Sequence, residues 1–176
     1  MTTAVREKPY LTCEVMPAWE EVATSIGLEL TPRVREVLER QVEVIIDYHA
    51  RKGGPVMTEA PERGSWESDM LRHILVKDLA ADGMHEAESW EPPSGFEGST
   101  PEEWKVSKAD LAVTRTWSVV LGSGKVRATL LEAVSVDGTI TRGTPAINMP
   151  RSGFKPEQVA DVIADLRLAQ SLGVAL

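Results

Sequence analysis

Alternation of apolar and polar positions is strictest between Leu111 and Val136, LAVTRTWSVVLGSGKVRATLLEAVSV. Leu111, Val113, Trp117, Val119 and Leu121 fall on one side of an extended chain, with Arg115 as the one polar residue among them. After Gly122-Ser123-Gly124 the alternation resumes with Val126, Ala128, Leu130, Val134 and Val136, interrupted only by Glu132. The two runs read as the arms of a hairpin, about 111–121 and 125–136. A three-residue loop at 122–124 would oppose Leu121 to Lys125 and Val119 to Arg127. Keeping the apolar sets together instead pairs Leu121 with Val126, Val119 with Ala128, Trp117 with Leu130 and Val113 with Val134, because a one-residue slip sends every side chain to the other face. In that register Arg115 lies opposite Glu132, on the face that should be core.

Helical spacing dominates the first half of the chain. Pro17-Ala18-Trp19-Glu20-Glu21 has the proline and acids favoured in a first turn, and Gly27 can end that helix. Thr31 and Pro32 open a second, with Val34, Val37, Leu38, Val42, Ile45 and Ile46 in register and Gly53-Gly54-Pro55 as its stop. Ser65 caps a third, carrying Trp66, Met70, Leu71, Ile74, Leu75 and Leu79 and expected to close at Gly83. Residues 84–100 form a long acidic Pro/Gly-rich connection with Trp90 and Phe96 inside it, and Thr100-Pro101-Glu102-Glu103 reads as the start of a short helix carrying Trp104. Tyr10 to Met16 reads as a short edge strand.

Asp137-Gly138 turns the chain into a third strand, about 139–146, which lacks an apolar face and whose prolines suit an edge. Its register stays open: one loop brings Ile140 inward and Arg142 toward Arg115 and Glu132, another points Ile140 outward. A helix at about 156–172, with a stripe of Val159, Val162, Ile163 and Leu166, is the natural cover for the hairpin. The expectation is an α+β fold in a single domain, 1–176, with a helical N-terminal half and a three-stranded antiparallel meander under the last helix.

Composition narrows the function classes. No apolar run approaches the roughly 20 residues of a membrane span, and the first ten residues lack the apolar core of a signal peptide. The one cysteine, Cys13, excludes an internal disulfide, which suits a reducing cytoplasm. The net charge is −8, and residues 59–103 hold twelve acids against three bases. Such a block repels phosphate and anionic surfaces, so nucleic acid and membrane are not expected as partners, while a basic protein surface would be attracted.

Candidate chemistry is sparse. Arg115, Trp117, Glu132 and Arg142 are the ligand-binding candidates, as a charged cluster on an inner sheet face, with a satisfied structural ion pair as the plainer reading. Trp90 and Phe96 are the partner-binding candidates, docking outward or pinning their own loop. Residues 19–40 are faintly similar to a helix-turn-helix, with Arg33 and Arg35 opening the second helix, but glutamates follow at 36, 39 and 43. His49, His73 and His85 share no metal-pair spacing, so no metal or other cofactor is assigned. Cys13 lacks a neighbouring histidine, and no nucleophile motif or phosphate loop is present, so catalytic residues stay unassigned. The resulting expectation is a cytoplasmic, non-enzymatic protein acting through protein contacts or self-association. The alternatives are a small enzyme or ligand-binding domain at Arg115, Trp117 and Glu132, and a DNA-binding regulator using residues 19–40.

Overall fold

The computed structural model describes residues 16–51, 61–62, 64–149, 153 and 155–171, with backbone alone at 49, 50, 66 and 67. The expected strand before Met16, Cys13 and the Gly53-Gly54-Pro55 stop lie outside them. The chain forms two compact units, Met1–Leu79 and Ala80–Leu176.

The first unit is helical: α1 (Met16–Ser25), α2 (Pro32–Arg51) and α3 (Trp66–Leu79). The helices begin where the caps stand. Thr31 Oγ1 accepts the Val34 N–H at 3.2 Å and Ser65 Oγ accepts the Ser68 N–H at 3.2 Å, each satisfying an amide with no partner inside its helix. Trp19, Leu38, Val42, Ile46, Leu71, Leu75 and Leu79 are buried at helical spacing and form this unit's apolar interior.

The second unit begins with α4 (Ala81–Glu88), so Gly83 does not end a helix as expected but sits inside one. Its role is close approach. A Cβ there would stand 2.5 Å from Val134 Cγ1 and 3.0 Å from the Gly138 carbonyl oxygen, so glycine lets α4 lie this close to the sheet without displacing either. Residues 101–104 are likewise not helical. The Glu102 N–H donates to the Thr116 carbonyl at 2.9 Å, and the chain runs extended into the two-residue strand β1 (Lys105–Val106). Pairing with the sheet overrides the local Thr-Pro-Glu-Glu signal.

Strands β2 (Ala112–Val120) and β3 (Arg127–Ser135) are the hairpin, and every pair argued from the apolar pattern is present, including Arg115 opposite Glu132. Leu121 and Val126 close a four-residue loop in which the Gly124 N–H donates to the Leu121 carbonyl at 2.7 Å. Gly124 has φ +77, a left-handed conformation that side chains resist, which explains its place at the tip. The third strand is two pieces, β4 (Ile140–Arg142) and β5 (Ala146–Asn148), both antiparallel to β3 and separated by Gly143-Thr144-Pro145. Ile140 faces Val134 and Arg142 faces Glu132, the inward register of the two considered. The sheet order is β1-β2-β3-β4, with β5 also on β3.

A 3₁₀ turn (Pro156–Gln158) leads into α5 (Val159–Ser171). Helix α5 covers the hairpin, though with a different stripe from the one expected. Val162 and Ala169 are buried and Leu166 packs beside them, whereas Val159 and Ile163 remain 47% and 46% exposed. With Phe96, α5 covers the tip half of the inner face, over Trp117, Leu121, Val126, Ala128 and Leu130.

Candidate functional site

Two places in the second unit bring chemistry-bearing residues together, one on each face of the sheet. On the inner face, between the part under α5 and the part under α4, stands the charged cluster. Alternation along β2 and β3 sends Arg115 and Glu132 inward, and both are buried, at 7% and 0% exposed. Arg115 Nε donates to Glu132 Oε2 at 2.5 Å, and the Trp117 indole N–H donates to the same oxygen at 3.3 Å. Arg142 Nε donates to Glu132 Oε1 at 2.6 Å. Both carboxylate oxygens are therefore taken, and two cations flank one anion.

The remaining contacts of the two arginines run to the connection after α4. Arg115 Nη2 donates to the Ala87 carbonyl at 3.0 Å, in the last turn of α4, where a cation complements the helix's negative end. Arg142 Nη2 donates to the Glu91 carbonyl at 2.9 Å. The Arg115 guanidinium lies 4.4 Å from the Trp104 ring centroid and 5.2 Å from that of Trp117, and Arg142 lies 5.1 Å from that of Trp90. The cluster thus fastens residues 87–104 to the sheet at four points: two carbonyls and two indole faces. Burial pushes the Glu132 carboxyl up, but hydrogen bonds from Arg142, Arg115 and Trp117 with the Arg115 charge outweigh it. The carboxyl ends below its usual range and stays ionised.

All four ligand-binding candidates, Arg115, Trp117, Glu132 and Arg142, are brought together. The two partner-binding candidates are not alike. Phe96 is fully buried within the tip-half core, whereas Trp90 keeps 38% exposure beside Arg142. Trp104, read from the sequence as helical, is a wall of the cluster. Asp165 was missed altogether. It is buried in α5, its Oδ1 accepts the Ser123 N–H at 3.0 Å and its Oδ2 the Ser123 hydroxyl at 2.5 Å, so it ties α5 to the hairpin tip. Its signal was a lone acid at helical spacing between Val162 and Ala169, the same kind of interruption that exposed Arg115 and Glu132.

The outer face of the sheet is different in character. Thr116, Ser118 and Val120 of β2 and Arg127 and Thr129 of β3 point outward and, with Met149, line an open groove of about 500 Å³. Val120, Leu131 and Met149 are 53%, 51% and 53% exposed on or beside it. Lys125 and Arg127 lie at its hairpin end, and Glu102 borders it, paired with Lys105 at 2.7 Å.

In the first unit the arginines that open α2 are engaged locally. Arg33 Nη2 donates to the Leu79 carbonyl at 3.1 Å, and Arg35 Nε pairs with Glu20 at 3.1 Å. His73 and His85 are exposed, the His49 side chain lies outside the described residues, and no metal-competent cluster occurs among the described residues. No described helix is long and apolar enough to cross a membrane. Comparison with protein families, curated proteins and solved structures finds no match for this chain.

Proposed function

We propose that this chain is a non-enzymatic, cytoplasmic binding protein that works through protein contacts, self-association included, made by the outer face of its sheet. The observation that carries the reading is the asymmetry of that sheet. One face is covered by α5, α4 and Phe96, while the other leaves Val120, Leu131 and Met149 about half exposed around an open groove. Exposed apolar residues grouped on a rigid surface and rimmed by polar ones mark interaction sites more than isolated ones do. The compartment rests on the single cysteine.

The inner-face cluster supports a small-ligand pocket less well, because Glu132 has both oxygens occupied within the protein. The DNA-binding alternative has less support still, since Arg33 and Arg35 are held by Leu79 and Glu20.

A photo-cross-linking residue placed at Leu131 in cells tests the proposal, with the same residue at Leu168, also about half exposed but on α5, as control. The expected result is a discrete adduct from Leu131 alone. No adduct, or the same adducts from both positions, would remove the reading.

A further inference from the structure

The hairpin's hydrogen-bond pattern leaves part of one strand edge without a partner. The Leu121 N–H bonds Val126 and the Val136 N–H bonds Leu111, so odd-numbered residues of β2 exchange bonds with β3. Even-numbered residues then turn their N–H and C=O to the opposite edge. There the Ser107 N–H reaches Ala112, β1 pairs Lys105 with Thr114, and the Glu102 N–H reaches Thr116. Beyond Thr116 that flank stops. Among the described residues, nothing bonds the edge-facing groups of Ser118 and Val120. Proteins usually blunt such an edge with proline, a bulge or an inward charge, and residues 117–120, Trp-Ser-Val-Val, carry none of these.

The bare edge borders the outer groove, and the groove's charge is the reverse of the molecule's. Against a net charge of −8, Lys125 and Arg127 stand at its hairpin end with no ion pair among the described residues. The acid nearby, Glu102, is held by Lys105. Thr116 and Ser118 add hydroxyl groups along the floor.

Resting on the reading of the outer face as the interaction surface, we infer that the free edge of β2 at Ser118 and Val120 receives an extended acidic segment of a partner protein as an added strand. Main-chain bonds to Ser118 and Val120 hold the guest. Its alternate side chains face the groove, where carboxylates meet Lys125 and Arg127. From Trp117 to Leu121, past the Glu102 contact at Thr116, the edge runs about 13 Å at the usual strand rise, room for a guest of about five residues.

The test is an NMR titration of the full chain with acetyl-Thr-Glu-Thr-Glu-Thr-amide and with its counterpart carrying Lys in place of Glu. The Glu peptide should shift the Ser118 and Val120 amides and bind about tenfold tighter than the Lys peptide, a ratio expected from reversing two exposed charge contacts. The preference should fade near 1 M salt, where screening acts within about 3 Å. Ser118→Pro should abolish binding with near-UV circular dichroism unchanged, because the lost N–H points away from β3. Lys125→Glu with Arg127→Glu should reverse the preference between peptides. Equal binding of both peptides, shifts confined to other regions, or a dimer in sedimentation that Ser118→Pro dissolves would each overturn the inference, the last by making a second copy the occupant. If neither peptide binds while Leu131 still cross-links, the inference falls and the proposed interaction surface stands. If both fail, both fall.

Discussion

Glu132 shows how one buried residue can organise a site without an empty position in it. Its two oxygens hold Arg115 and Arg142, and those arginines hold the segment from Ala87 to Trp104. A pair of this kind contributes modestly when intact and costs heavily when halved, because the surviving charges are left uncompensated away from water. Glu132→Gln should therefore destabilise the chain by about 3–5 kcal/mol, read from urea midpoints. Arg142→Ala should cost less, about 1–2 kcal/mol, since its side chain is 25% exposed and water can replace part of what it gives. At Gly83 two effects oppose each other. Alanine would gain up to about 1 kcal/mol of helix propensity, but its Cβ would meet Val134 and a backbone carbonyl, and overpacking of that kind costs about 1–3 kcal/mol. Because the Gly138 carbonyl cannot swing aside as a side-chain end can, Gly83→Ala should lower the melting temperature.

Among the elements, the hairpin was legible because two runs of period 2, each with one charged interruption, have only one register that unites both the apolar sets and the charges. The other elements carried weaker marks. Gly83 looks the same in sequence whether it ends a helix or lets one approach a sheet, and only the position of Val134 decides. Thr100-Pro101-Glu102-Glu103 has the residues of a helix start, yet one hydrogen bond to Thr116 keeps it extended. In α5 the apolar residues alone define too broad a stripe. Admitting Asp165 as an inward position gives the observed set of Val162, Asp165, Leu166 and Ala169 and leaves Val159 and Ile163 outside. That acid also predicts behaviour. Asp165→Ala would leave the Ser123 N–H without its acceptor and should cost about 1–3 kcal/mol, with hydrogen exchange at Ser123 accelerating more than at Trp117 in mid-strand. Equal acceleration at both amides would mean that α5 stabilises the sheet as a whole and not its tip.

For the molecule as a whole, charge and fold should part company as pH falls. The net charge of −8 at neutral pH vanishes near the isoelectric point of 5.0, where mutual repulsion is lost and turbidity should peak. The fold should outlast that point. Glu132 titrates below the usual carboxyl range in the folded chain, since Arg142 and Arg115 hold its ionised form against the opposing pull of burial. A carboxyl lowered on folding contributes stability that is complete above its unfolded value, about 4.3, and is lost as pH falls through the folded value. The exposed carboxyls of Glu97, Glu102 and Asp137, each lowered by local hydrogen bonds, act in the same direction. Turbidity should therefore appear near pH 5 with near-UV circular dichroism intact, and the tertiary signal should decay only below about pH 4.3. Arg142→Ala removes one of the groups holding the carboxyl down, so it should move the decay to higher pH. The turbidity peak, set by a net charge altered by a single unit, should move by much less. Loss of the tertiary signal together with the onset of turbidity, or an acid transition indifferent to Arg142→Ala, would show that this buried clamp does not govern acid stability.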